Sequence, residues 1–177
     1  MIRLFTAIGL PADLVTRLSL MQGGVPGARW SPPENLHLTL RFIGEVDEAV
    51  ANDIDDLLSG LRAAPFELTL SGSGSFGSKD PHSLWIGVAP CPPLLHLAAR
   101  IESLLQRMGL AAETRKYTPH VTLARLKDAP NQRVQAFLAE HAAFTSGPFT
   151  ASAFGLYSSH TVSQGRQYVL ERRYPLG

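Results

Sequence analysis

Two periodicities alternate along this chain. Ile2 to Leu10 alternates weakly and stops at Pro11, after which Leu14, Leu18 and Met21 recur at helical spacing until Gly23-Gly24. The chain is therefore expected to open as a strand followed by a short helix. Ala28 to Glu34, with Pro32 and Pro33, reads as turn. Leu36, Leu38 and Leu40 then alternate with His37, Thr39 and Arg41, a period of two that places apolar side chains on one face of a strand and polar ones on the other. Val46, Val50, Ile54, Leu57, Leu58 and Leu61 form an apolar helical stripe, with Asp47 placed as its N-cap.

The same alternation of periods continues in the second half. Phe66 to Leu70 reads as a strand, Ser71 to Ser78 as a Gly/Ser-rich rim loop, and Ser83 to Ala89 as a strand bounded by Pro81 and Pro90. Leu94, Leu97, Ala98, Ile101, Leu104, Leu105 and Met108 predict a second strong helix, with Gly109 where a left-handed C-cap belongs. A strand from His120 to Leu126, a short helix near Gln132 to Ala139, and closing strands at Phe149 to Tyr157 and Gln167 to Tyr174 complete the chain. Strands and helices without a regular βαβ rhythm predict an α+β fold with mainly antiparallel sheet.

Composition narrows the classes. At 177 residues, 45% hydrophobic and 18% charged, the chain can bury a core, and it holds no run of about 20 apolar residues of the kind a membrane-spanning helix needs. Sixteen basic against 15 acidic residues argue against a protein that coats duplex nucleic acid, while leaving a nucleotide or a strand end as ligand. The single Cys91 can form neither an internal disulfide nor a multi-thiolate zinc site, which points to a reducing cytoplasm. Met1 to Leu10, with Arg3 as its one basic residue, does not read as a signal peptide.

One internal repeat carries chemistry: His37-Leu38-Thr39-Leu40 and His120-Val121-Thr122-Leu123. In each, His and Thr share one strand face while Leu or Val fill the other. A single His-x-Thr in a strand ordinarily means a half-exposed histidine bonded to a neighbour, and Thr is favoured in strands anyway. Two copies in alternating strands point instead to a site of two imidazoles and two hydroxyls. Such a site suits attack on a phosphodiester, one neutral imidazole taking a proton from water and one imidazolium giving a proton to the leaving oxygen. Thr39 and Thr122 would donate hydrogen bonds to the non-bridging oxygens as charge builds. No metal or other cofactor is demanded, and neither motif brings a third ligand at zinc spacing.

The residue five places after each His is Phe42 in one copy and Arg125 in the other. A ring and a guanidinium plane facing each other could sandwich a nucleobase. Strict alternation would put both on the core face, so a bulge or end-twist must turn them outward, and plain core packing is the competing reading for Phe42. Arg41, in phase with His37, could reach a phosphate or stand as a solvated strand residue. His82, His96, His141 and His160 lack the motif context and read as surface or loop positions.

The paired HxTx motifs resemble the signature of the 2H phosphoesterase superfamily, and the flanking text resembles its RNA 2′,3′-cyclic phosphodiesterase (LigT or ThpR) branch, historically called 2′-5′ RNA ligase. The resemblance runs over nearly the whole chain: RLFTAIGLP, WSPPENLHLTLRFIGEV, SLWIGV, YTPHVTLARL, and a closing stretch with Gly165, Tyr168 and a final YPL. It implies one bilobal domain over residues 1–177, with two pseudo-symmetric lobes whose antiparallel sheets face each other across a cleft, helices outside, and one motif in each half. It implies catalytic duty for His37 and His120, with His37 as acid and His120 as base, phosphate binding by Thr39 and Thr122, and base binding by Phe42 and Arg125. Tyr168 is a further candidate contact.

The expected activity is opening of an RNA 2′,3′-cyclic phosphate to a 2′-phosphate, without metal or membrane, by a monomer acting on RNA 3′ ends or nucleotides. Reversible 2′-5′ joining of RNA ends and non-catalytic RNA-end binding stand as the other readings. Intact His and Thr in both motifs count against a pure binder, which needs no acid–base pair.

Overall fold

A computed structural model describes residues 1–177 as two antiparallel sheets with four α-helices. The strands are β1 (Ile2–Gly9), β2 (Ala28–Trp30), β3 (His37–Val46), β4 (Phe66–Phe76), β5 (Ser83–Val88), β6 (His120–Leu126), β7 (Thr145–Ala151), β8 (Ala153–Val162) and β9 (Gly165–Pro175). The helices are α1 (Ala12–Met21), α2 (Glu48–Ser59), α3 (Pro92–Arg107) and α4 (Asn131–Glu140), with a 3-10 turn at Pro33–Asn35. One sheet has strand order β3-β1-β8-β9 and the other β2-β6-β5-β4-β7. The α+β architecture expected from the pattern is the one observed.

Local chemistry explains the helix ends. Asp47 caps α2, its side chain accepting from the Val50 N–H at 2.8 Å. Gly109 has φ of 102° just beyond α3, the left-handed conformation that costs glycine least. The Leu110 N–H then returns to the Leu105 carbonyl at 3.1 Å and the Gly109 N–H to Gln106 at 3.0 Å, so the last carbonyls of the helix are satisfied.

Three expectations need correction. Ser71 to Phe76 is not a rim loop but the second half of β4, paired with β5 from Ser73 to Phe76; small residues are needed there because the Trp85 ring lies flat on the strand. A β-carbon on Gly74 would stand 2.2 Å from Trp85 Cη2. Ala28 to Trp30, inside the stretch read as turn, forms β2 on the edge beside β6. The single closing strand at Phe149 to Tyr157 is two strands, β7 and β8, which break at Ser152 and go to different sheets.

The lobes are also not the two halves of the sequence. The first sheet joins β1 and β3 to the C-terminal β8 and β9, and the second collects the middle of the chain. The pseudo-symmetry matches β3-β1-β8-β9 with β6-β5-β4-β7 and leaves β2 as an extra strand on one lobe only. A contiguous cluster of 33 buried apolar residues, including Leu38, Leu40, Val121, Leu123, Ile54 and Ile101, lies behind the motif strands. Apolar burial of this kind contributes roughly 1.5–3 kcal/mol per large side chain.

Candidate active site

Each motif strand runs beside a central strand in the same register. His37 pairs with Gly9, Leu38 with Ile8 and Thr39 with Ala7; His120 pairs with Gly87, Val121 with Ile86 and Thr122 with Trp85. Both ladders then slip at the same place. Arg41 pairs with Thr6 and Ala124 with Leu84, so Leu40 and Leu123 are each the extra residue of a bulge. A bulge inverts the facing of the residues beyond it. Phe42 and Arg125, five places beyond their histidines, therefore leave the core: Phe42 is 51% exposed and Arg125 is exposed. Leu38, Val121 and Leu123 are fully buried.

The two imidazoles are held alike. His37 Nδ1–H donates to the Asn35 carbonyl at 2.6 Å, and His120 Nδ1–H donates to the Thr118 carbonyl at 2.6 Å. A carbonyl only accepts, so each bond fixes the proton on Nδ1 and leaves Nε2 for chemistry. The pair differs at that second nitrogen. The Thr39 hydroxyl lies 2.9 Å from His37 Nε2 and donates to it in the neutral state, whereas no protein group bonds His120 Nε2.

Burial pushes the His37 pKa from 6.5 down to about 4, against the Asn35 hydrogen bond, with the His120 charge adding to the fall. His120 is also lowered, by burial first and then by Arg125, against the Thr118 bond.

Aromatic rings wall both histidines. His37 lies 4.9 Å from Phe5, 5.3 Å edge-on from Tyr168 and 6.3 Å from Tyr157, centroid to centroid. Phe5 also meets Phe42 at 6.0 Å. His120 lies 4.9 Å edge-on from Phe76 and 5.7 Å from Trp85. Phe5, Tyr157, Phe76 and Trp85 were not legible as site residues; their signal is their place on alternate positions facing the motifs, which requires the strand pairing. Trp85 Nε1 is buried without a hydrogen-bond partner.

Arg41 is not free to reach substrate. It pairs with Glu102 of α3 and also donates to the carbonyls of Phe42 and, at 2.7 Å, Ala111. Glu102 further accepts from Gln106 Nε2 and from the Glu113 N–H, both at 2.8 Å, and Arg41 foremost among these donors holds its carboxyl at about 2, against burial. This hub fixes the segment that leads into His120. Tyr117, in that segment, donates its hydroxyl to the Thr39 carbonyl at 2.8 Å and so links the two motifs directly. Of the remaining histidines, His82 and His96 are exposed, His141 ends α4, and His160 lies on β8 with Nε2 2.8 Å from the Ser158 hydroxyl. No three His, Cys, Asp or Glu side chains gather at metal-binding spacing. No helix is long and apolar enough to cross a membrane.

Residues 12–162 match the family model of the 2′-5′ RNA ligase superfamily. The chain belongs to that superfamily. Among other members, it is 37% identical over 155 residues to the RNA 2′,3′-cyclic phosphodiesterase of Aeropyrum pernix, covering 86% of this chain and 88% of that one. It is 33% identical over 174 residues to the protein of the same name from Thermotoga maritima, covering 94% and 91%. The superfamily fold is shared with E. coli LigT solved in complex with 3′-AMP, at a TM-score of 0.80 and 28% identity over 99% of this chain and 98% of that one.

Proposed function

We propose that this chain is an RNA 2′,3′-cyclic phosphodiesterase in which His37 and His120 exchange protons with the reacting oxygens and Thr39 and Thr122 hold the phosphate. The observation that carries the reading is the matched pair of imidazoles, each tethered through Nδ1 to the carbonyl two residues earlier and each presenting Nε2. Membership of a superfamily whose members in A. pernix and T. maritima bear that name supports it. In-line displacement puts attacking and leaving oxygens on opposite sides of phosphorus, which suits two imidazoles from opposed strands and could not be served by one.

In this reading His120, whose Nε2 has no protein partner, takes the proton of water and His37 protonates the departing 3′ oxygen, giving a 2′-phosphate. Burial holds both imidazoles below 6.5, His37 down to about 4. The bound phosphodiester anion must raise His37 for it to serve as acid. The Thr39 hydroxyl, which donates to neutral His37, is released when Nε2 becomes protonated and turns to a phosphate oxygen. Phe42 and Arg125, turned outward by matching bulges, take the terminal base between them. The chain acts as one bilobal unit and as a monomer in the cytoplasm, a reading supported by the shared core and the lone Cys91.

The test is incubation of the purified protein with a 2′,3′-cyclic-phosphate-ended oligoribonucleotide in EDTA, with phosphorus NMR of the product. A 2′-phosphate with turnover retained is expected; loss of turnover restored by zinc or manganese overturns the metal-free mechanism. Each His→Ala change should lower the rate by about 10²–10⁴-fold. A substrate with a far more acidic 3′ leaving group should rescue the variant that lacks the acid. Rescue of His120→Ala rather than His37→Ala reverses the roles.

A further inference from the structure

β2 is the strand that the pseudo-symmetry does not require, and its middle residue is Arg29. Arg29 pairs directly across from Arg125, which puts two guanidinium groups on the same face of neighbouring strands, with Cα atoms about 4.5–5.5 Å apart. Like charges directly opposite in a sheet destabilise it. Neither is relieved, because no carboxylate forms an ion pair with Arg29 or Arg125 and both side chains are exposed. That face is the cleft face, since Arg125 shares it with Ser83 and, two residues along β5, with Trp85 beside His120.

A third cation arrives from the other lobe. The turn between β8 and β9 reaches across so that a β-carbon on Gly165 would stand 3.8 Å from Arg29 Nη1. The next residue, Arg166, has its carbonyl held by Asn35 Nδ2 at 2.9 Å. Asn35 is also the residue whose own carbonyl orients His37. The Arg166 guanidinium is exposed and forms no ion pair; its polar contact is a 3.5 Å approach to Ser159 Oγ. In a protein of formal net charge +1, Arg29 and Arg125 stand unpaired on one lobe, and Arg166 stands unpaired next to Gly165, the residue of the other lobe that approaches Arg29.

We propose that Arg29 and Arg166 bind the internucleotide phosphate next to the terminal nucleotide, so that the site selects an RNA strand end over a mononucleotide. The proposal rests on the phosphodiesterase reading and deepens it. Arg125 is committed to the terminal base, and a phosphate bound by Arg29 offsets the repulsion between Arg29 and Arg125 on their shared face. Guanidinium groups suit this because their planar forks take two phosphate oxygens at once.

The experiment compares hydrolysis of adenosine 2′,3′-cyclic phosphate with that of a diadenosine carrying the same cyclic end. It is run on the wild-type protein, Arg29→Gln and Arg166→Gln, at several salt concentrations. The wild type should prefer the dinucleotide. Arg29→Gln should lower kcat/KM on the dinucleotide about tenfold, leave the mononucleotide unchanged, and flatten the salt dependence by about 0.7 in logarithmic slope, the value for one single-strand phosphate contact. A dinucleotide with a neutral methylphosphonate linkage should lose the preference in the wild type and be insensitive to Arg29→Gln. Equal effects of Arg29→Gln on both substrates, or none on either, overturn the phosphate site while leaving the phosphodiesterase reading intact. Absence of wild-type turnover on both cyclic phosphates overturns the phosphodiesterase reading and this site with it.

Discussion

His37 shows how a single side chain can be decided by neighbours that its own motif does not contain. The HxTx spacing predicts a shared face for His and Thr, and the structure has it, with the Thr39 hydroxyl 2.9 Å from Nε2. The carbonyl that fixes the tautomer comes from two residues before each histidine, and the rings that dry the site come from β1, β4, β5, β8 and β9. Local spacing cannot carry that information, because it depends on which strands become neighbours. The pH dependence is set by the burial. Proton transfer in both directions needs one imidazole charged and one neutral, and in the free protein the two titrate at about 4 and below 6.5. The profile of kcat/KM should therefore be a bell with its maximum between those values, while kcat, which reports the phosphate-bound site, peaks at higher pH. A kcat/KM maximum above 6.5, read from initial rates across pH, contradicts the burial. The same shift links to stability. The folded His37 pKa lies below its unfolded value, so its contribution is complete above pH 6.5 and is lost as pH falls towards 4. The loss amounts to about 3 kcal/mol. Chemical denaturation at both pH values should show a smaller acid loss in His37→Gln than in the wild type.

At the scale of elements, the amphipathic helices and the motif strands were readable because each reports its own period, and α2 even carries its cap in the sequence as Asp47. β4 was half missed, since Ser71 to Ser75 lacks the β-branched and aromatic residues of an ordinary strand. The cause lies in another strand: Trp85 of β5 needs Gly74 beneath it. β2 was missed because three residues give too short a window for any period. The matching bulges are the element-scale device on which the proposed base contacts depend. Offset alone would bury Phe42 and Arg125, and one extra residue in each motif strand exposes them. Phe42→Ala should therefore weaken substrate binding by roughly 1–3 kcal/mol, the range for a stacked base. Its melting temperature should stay near that of the wild type, since the ring is half-exposed. Titration of a non-hydrolysable nucleotide beside a thermal melt separates the outcomes: normal binding overturns the base contact, and a large drop in melting temperature shows that the half-exposed ring serves packing.

The whole molecule adds a constraint that neither motif nor element contains, namely how the two imidazoles are held relative to each other. The sequence halves are interleaved: β8 and β9 return to the first sheet, and α3, which comes after β5, packs on β3 of the opposite sheet. Arg17 of α1, which comes after β1, donates to the carbonyls of Thr145 and Ser146 in β7. Each lobe is thus buttressed by a helix that leaves the other, and separation of the lobes would expose the shared core. Within that frame two side-chain hydrogen bonds join the second motif's approach segment to the first motif's strand, Arg41 to the Ala111 carbonyl at 2.7 Å and the Tyr117 hydroxyl to the Thr39 carbonyl at 2.8 Å. Burial pushes the phenol pKa up, so it stays a neutral donor across the working range. Tyr117→Phe keeps the ring and removes this bond. It should cost about 1 kcal/mol of stability, because a partly buried carbonyl loses its donor. If the bond also sets the distance between the histidines, kcat should fall several-fold with KM little changed, since a displaced proton donor harms the transition state more than the bound ground state. A variant with reduced stability and unaltered kcat would show that the bond only braces the fold. A fall in kcat that survives stabilisation by a bound nucleotide would place the spacing of the imidazoles under the control of a residue three positions before the second histidine.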